Sequence, residues 1–192
     1  MTARRLALLT TLLLALPVMA QGGAKTYALK KDSSTLTYKL HHPAHEVVGK
    51  AKPSDGKARL MPDGTLQVAV RANIKDFDSG NGNRDAHMME VTEMAKYPIV
   101  DFKGVAKGVT MPTTFPAKVP VTLKGKLTFH GVTQDVEVPL TVVFKSASEV
   151  TTEGSFDISL DAYKVERPSL LMVKVDDKLV LEPALVFVVE GA

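Results

Sequence analysis

Five histidines and a short cluster of charged and sulfur-bearing residues carry the chemistry open to this 192-residue chain. His41, His42 and His45 stand together in HHPAH. Three imidazoles in one run suit zinc or copper. Adjacent strand residues point to opposite faces, however, and Pro43 interrupts the segment, so the plainer reading is a polar strand end at a barrel mouth. A second cluster holds Arg84, Asp85 and His87 beside Met88, Met89 and Met94. Arg84 suits an anionic headgroup, and a loop-fixing Arg84–Asp85 pair is the alternative. His87 suits a polar headgroup or a structural bond to a backbone carbonyl. The methionines suit a permissive apolar lining or ordinary core.

Covalent chemistry is poorly represented. The chain has no cysteine, which excludes disulfides, a thiol nucleophile, a thiolate zinc site and a lipid-modified N-terminal cysteine. It has no Gly-x-Ser-x-Gly elbow, no phosphate-binding glycine loop and no His-Glu-x-x-His. No carboxylate pair stands out as an acid beside an ionised partner. The chain reads as a non-enzyme, although triads assemble in space rather than in sequence.

Strands have to place these residues, and the clearest stretch is Leu123 to Phe144, LKGKLTFHGVTQDVEVPLTVVF. His130-Gly131 reads as a two-residue turn, because Gly tolerates φ > 0 and His visits it more easily than most residues. That turn pairs Phe129 with Val132 and fixes the register of everything behind it. One face then carries Thr128–Thr133, Lys126–Asp135 and Lys124–Glu137. The other carries Phe129–Val132, Leu127–Gln134, Gly125–Val136, Leu123–Val138 and Val121–Leu140. Such cross-strand pairs stabilise by about 0.2–1 kcal/mol each, and a slip of one residue would scramble both faces. The apolar face has a gap at Gly125 that a larger side chain would fill. Gln134 is its one polar member, placed for a headgroup or at the rim.

Period-two alternation recurs at Leu36, Tyr38 and Leu40, at Leu66 to Ile74, at Val100 and Phe102, and at Phe156, Ile158 and Leu160. Leu179 to Val189 reads as one last strand, apolar on both faces through Val180, Val186 and Val188. Its outer side needs cover from a helix or a partner chain, such as a homodimer. Arg84 to Lys96 reads as one or two short helices with Asp85 as N-cap. The fold class is therefore all-β, an antiparallel barrel or sandwich with one short helical segment. About eight strands closed into a barrel leave room for side chains or one slender ligand.

Arg4 and Arg5, the apolar run Leu6 to Leu16 and Val18-Met19-Ala20 have the pattern of a secretory signal peptide, residues 1–20, cleaved after Ala20. The run is short for a membrane span. Residues 21–26 read as a mobile leader and 27–192 as a single domain. Cleavage places the protein in the periplasm or outside the cell, with no membrane span. It takes two of the 24 basic residues against 21 acidic ones, leaving a net charge of about +1 rather than +3. Nothing in that balance points to nucleic acid.

Five blocks carry a resemblance: Asn83 to Met88, Lys96 to Phe102, Gly125 to Thr133, Val136 to Leu140, and Phe156 to Leu160. In order and spacing they resemble the bacterial YceI-like family, over roughly Tyr27 to Glu190. The chain departs from the family pattern in having no Trp and in the region after Leu160. The resemblance implies a lipocalin-like barrel that binds a polyisoprenoid lipid inside it. On that reading Leu123, Leu127, Phe129, Val136, Phe144, Phe156, Ile158 and Phe102 contact an isoprenoid-like lipid or quinone, with Met88, Met89 and Met94 at one end. Arg84, His87 and Gln134 would place the head. The alternatives are a metal-binding or enzymatic protein built on His41, His42 and His45, and a packed barrel without a ligand.

Overall fold

The structure is a computed structural model and describes residues 23–170 and 172–190. The signal-peptide reading and its cleavage site lie outside the described residues. Lys25 and Thr26, expected in a mobile leader, already belong to strand β1 (Lys25–Leu29) and pair with Leu60 and Arg59.

The hairpin predicted from sequence is β6 (Ala117–Phe129) and β7 (Val132–Phe144). Its register is the expected one throughout, from Phe129 opposite Val132 to Ala117 opposite Phe144. His130 and Gly131 both take positive φ, 50° and 71°, so the turn twists with the strands it joins. On the wet face Lys124 and Lys126 reach Glu137 and Asp135 at 2.7 and 2.9 Å, and the hydroxyls of Thr128 and Thr133 meet at 2.8 Å. Gly125 does not open onto free space. It lies opposite Gly104 of β5 (Ile99–Ala106), and a Cβ on it would meet the β5 backbone.

The remaining wall comes from β2 (Thr35–His42), β3 (His45–Leu60), β4 (Leu66–Asp78), β8 (Glu149–Glu153), β9 (Phe156–Ser159), β12 (Lys178–Ala184) and β13 (Val186–Val189). The strand Leu179 to Val189 is thus two strands, parted at Leu185. β1, β13, β8, β7, β6, β5, β4 and β3 form a closed ring of eight, since β3 pairs back to β1. β2, β12 and β9 continue it upward: β2 pairs with the first half of β3, and β12 lies between β2 and β9. The result is an antiparallel, lipocalin-like barrel. Three of its walls, β1/β2, β8/β9 and β13/β12, are long strands broken near mid-height.

Two hydroxyls stitch those breaks. Ser34, 1% exposed, gives its Oγ proton to Lys30 O at 2.8 Å and accepts the Val186 N–H at 2.9 Å. Thr152 donates to Pro183 O at 2.9 Å and accepts from Leu185 N–H at 3.0 Å. Backbone groups released from the ladder by the kinks are thereby satisfied.

The connections at the upper end are the elaborate ones. Helix α1 (Gly82–Val91) joins β4 to β5 and packs on β4, so it does not cover the outer valines of β12 and β13. Its N-cap is Asn81, whose side chain accepts from Asn83 N and Arg84 N at 3.1 Å each, and not Asp85. A single 3₁₀ turn, Asp161–Tyr163, and a small hairpin, β10 (Ser169–Leu170) with β11 (Val173–Lys174), join β9 to β12.

Candidate functional site

The inward alternation of the strands leaves an apolar interior in two chambers. The lower chamber, about 120 Å³, lies among Tyr27, Leu60, Leu66, Phe144 and Phe187. The upper chamber, about 410 Å³, lies among Tyr38, Ile74, Phe77, Phe129 and Val175 and reaches α1. Leu36, Val100, Leu127 and Leu181 line both, so the chambers share a waist of four apolar side chains. Buried residues follow the same division, one core cluster around each chamber.

Polar groups are distributed unevenly. In the lower chamber the Thr152 hydroxyl is spent on the kink, and the Tyr27 hydroxyl is 3.4 Å from Ala147 O. That chamber can hold only hydrocarbon. The upper one is lined at its α1 end by Asn83, Arg84 and His87, and on the β2–β3 side by His42 and His45.

Arg84 and Asp85 do not pair directly. Both grip Ser79: Arg84 Nε and Nη2 donate to Ser79 Oγ and O at 2.8 and 2.7 Å, and Asp85 accepts from the Ser79 N–H and hydroxyl. This fixes the loop before α1 and holds the guanidinium at the rim. Tyr38 stands beneath it, its ring lying where a side chain on Gly49 would be. Burial pushes the Tyr38 hydroxyl up to about 12; Asp85 adds to the rise, and Arg84 and a hydrogen bond with Ser79 oppose it. The rim thus presents a cation and a neutral phenol to the apolar chamber. That combination can donate to a carbonyl, hydroxyl or phosphate oxygen.

The nominated residues divide accordingly. Phe102, Leu123, Phe144 and Phe156 line the lower chamber, and Leu127 lines both. Met88, Phe129, Ile158, Arg84 and His87 line the upper one. His87 is exposed, its Nδ1 3.4 Å from Glu90 Oε2. Met89, Met94 and Val136 pack against the upper core cluster and are not among the lining residues. Gln134 is a correction. Its Nε2 donates to Ala162 O at 3.0 Å, and it lines neither chamber. The reason is a missing ladder. β7 pairs with β8 at Thr141 to Phe144, but no ladder joins its upper part to β9 among the described residues. Gln134 and His130, whose Nδ1 bonds Tyr163 O at 3.0 Å, tie the 3₁₀ turn across that seam. His130 is therefore more than a turn residue: Tyr97 packs edge-on against it, and Glu93 Oε2 stands 3.1 Å from Nε2.

His42 is turned inward and 3% exposed, with both nitrogens engaged: Nδ1 accepts from Ala44 N and Nε2 faces Val173 O, each at 3.1 Å. Neither nitrogen is left for a metal. His41 and His45 are exposed. Sequence reasoning missed Tyr38, Phe77 and three of the waist residues, Leu36, Val100 and Leu181, as lining. Tyr38 and Leu36 were legible as inward positions of an alternating strand. Phe77 was not, because the register of β3 against β4 shifts between Ala51 and Asp55.

A YceI-like domain model matches residues 27–187, and the chain belongs to the YceI-like family. Solved structures agree on the fold. A polyisoprenoid-binding domain from Saccharophagus degradans superposes with a TM-score of 0.68 at 15% identity, covering 85% of this chain and 98% of that one. Burkholderia cenocepacia BcnA gives 0.64 at 20% identity, covering 82% and 98%. A Campylobacter jejuni YceI protein gives 0.54 at 18% identity, covering 79% and 90%. Among curated proteins none matches the chain.

Proposed function

We propose that this protein is an exported, periplasmic carrier that holds an isoprenoid-like lipid or a quinone, for transport, storage or stress protection. The observation that carries the reading is the two-chambered apolar interior with its polar groups at one end only. A tail passing the waist would bury its surface in the lower chamber, at about 25 cal/mol for each Å² removed from water. Arg84, Tyr38 and His87 would then meet the head at the α1 rim. The Saccharophagus relative is described as a polyisoprenoid-binding domain, which favours an isoprenoid over a straight-chain lipid. On the same reading the protein binds its lipid rather than transforming it. Self-association through the outer valines of β12 and β13 belongs to this reading as a subsidiary proposal, which sedimentation would read.

The test is solvent extraction of protein purified from its own host, followed by mass spectrometry. A bound polyprenol or quinone in stoichiometric amount is the expected result. Repeated absence of lipid, together with no uptake of added polyprenol or ubiquinone, would sink the proposal. Stoichiometric metal lost in a His41/His42/His45 alanine variant would replace it with the metal reading.

A further inference from the structure

The polar side chains that reach the upper chamber include a cation and no anion. Tyr38, His45, Asn83, Arg84 and His87 are among its lining, and no carboxylate is, among the described residues. The acids nearest in the chain are turned to other partners. Asp78 Oδ1 accepts from Gly80 N–H at 2.7 Å, and Asp85 accepts from Ser79 N–H at 3.0 Å and from its hydroxyl. Glu90 is exposed, beside His87. Two further polar residues of the lining are already engaged. The Thr92 hydroxyl donates to Met88 O at 2.7 Å, and both ring nitrogens of His42 have partners.

Arg84 is half-buried at this rim. A guanidinium carries five N–H donors. Nε and one hydrogen of Nη2 go to Ser79 Oγ and O, at 2.8 and 2.7 Å. The other three have no protein acceptor among the described residues. Asp85 grips the same serine hydroxyl, so it offsets part of the charge, but it accepts none of these protons. A guanidinium half exposed to solvent is hydrated, and a ligand that fills the chamber strips water from it. Removing that water is costly unless a charged, hydrogen-bonding partner replaces it.

We infer that the upper chamber takes a prenyl lipid whose head is an anionic oxygen group of the phosphate class, in preference to a neutral quinone or polyprenol. The inference rests on the carrier reading and narrows it. A quinone carbonyl or an alcohol offers a neutral acceptor and leaves the guanidinium charge dry and unpaired. A phosphate offers several charged oxygens, and a guanidinium fork matches two of them at once. The Tyr38 phenol, beneath the guanidinium, can donate to the same group.

Competition against a fluorescent prenyl probe tests this with farnesyl phosphate and farnesol, which share a tail and differ in the head. Inorganic phosphate is the third competitor. Farnesyl phosphate should displace the probe at a concentration about tenfold or more below that of farnesol, a factor equivalent to about 1.4 kcal/mol. Inorganic phosphate should not displace it. Arg84→Gln should bring the ratio of the two prenyl affinities close to one, and Arg84→Lys, which keeps the charge, should hold it above that of the Gln variant. A merely loosened Ser79 loop would weaken both ligands alike and leave the ratio unchanged. Equal affinities in the wild-type protein, or a wild-type ratio in Arg84→Gln, would overturn the inference. Displacement by inorganic phosphate as strong as by farnesyl phosphate would also overturn it, making the rim a site for the free anion. No binding of any prenyl ligand would overturn the carrier reading and this inference with it, whereas equal binding of the two overturns the inference alone.

Discussion

Gly104 on β5 and Gly125 on β6 are cross-strand partners, packed so closely that a Cβ on Gly125 would meet the Gly104 Cα and the Lys103 carbonyl. On the inner side the Phe102 ring lies over Gly104, next to Leu123. The glycine pair lets β5 and β6 approach while an aromatic ring supplies the missing inner surface. Gly125 is thus a backbone requirement, not spare volume. Gly125→Ala should destabilise by about 1–3 kcal/mol, as overpacking does. Urea unfolding at unchanged slope would show it as a lower midpoint. An unchanged midpoint would mean that β5 yields at no cost.

The kinks make a second expectation. Ser34→Ala leaves the Val186 N–H without its acceptor inside the wall. An unsatisfied buried donor costs about 1–3 kcal/mol. Ser34→Ala should lose that much stability in denaturant unfolding, and Thr152→Val should lose a similar amount by stranding the Leu185 N–H. A loss below about 0.5 kcal/mol in both, well under that range, would mean that water replaces the hydroxyls.

The hairpin β6–β7 was legible because its turn, its charge pairs and its apolar face all demand one register. The helical segment was legible from its methionines, its N-cap less so, since Asn81 and Asp85 are both capping types and only the loop at Ser79 decides between them. Breaks in three neighbouring strands were not legible. Ser34, Thr152 and Leu185 look like ordinary strand residues until the barrel brings them side by side. Gln134 was misread for a related reason: alternation gives the face of a strand, but not where a ladder stops and leaves a side chain to bridge the seam.

The waist sets a length limit on any tail. Val100 is half-buried and borders both chambers. Val100→Phe should close the passage between them. Binding of a long polyprenol should then weaken about tenfold, equivalent to about 1.4 kcal/mol of tail burial forfeited. A short prenyl alcohol, which fits in the upper chamber, should bind as before. Equal effects on long and short ligands, read by fluorescence competition, would show that the lower chamber is not occupied.

Tyr38 and Tyr163 should titrate late. Burial raises both to about 12, with Asp85 adding to the rise at Tyr38. In the unfolded chain a tyrosine ionises near 10. The folded state therefore holds these protons at pH values where the unfolded state has released them. Stability from this source is fully present below about pH 10 and falls as pH rises toward 12, because the unfolded state then gains by ionising. Absorbance at the tyrosinate band should show part of the four tyrosines titrating only as the barrel opens. Tyr38→Phe should remove one late group and reduce the alkaline loss of stability. Because Tyr38 lines the upper chamber under Arg84, an anionic head bound there should delay its ionisation further by adding negative charge. A neutral quinone should not. Comparing the two titrations would identify the charge of the head as well as the place it binds.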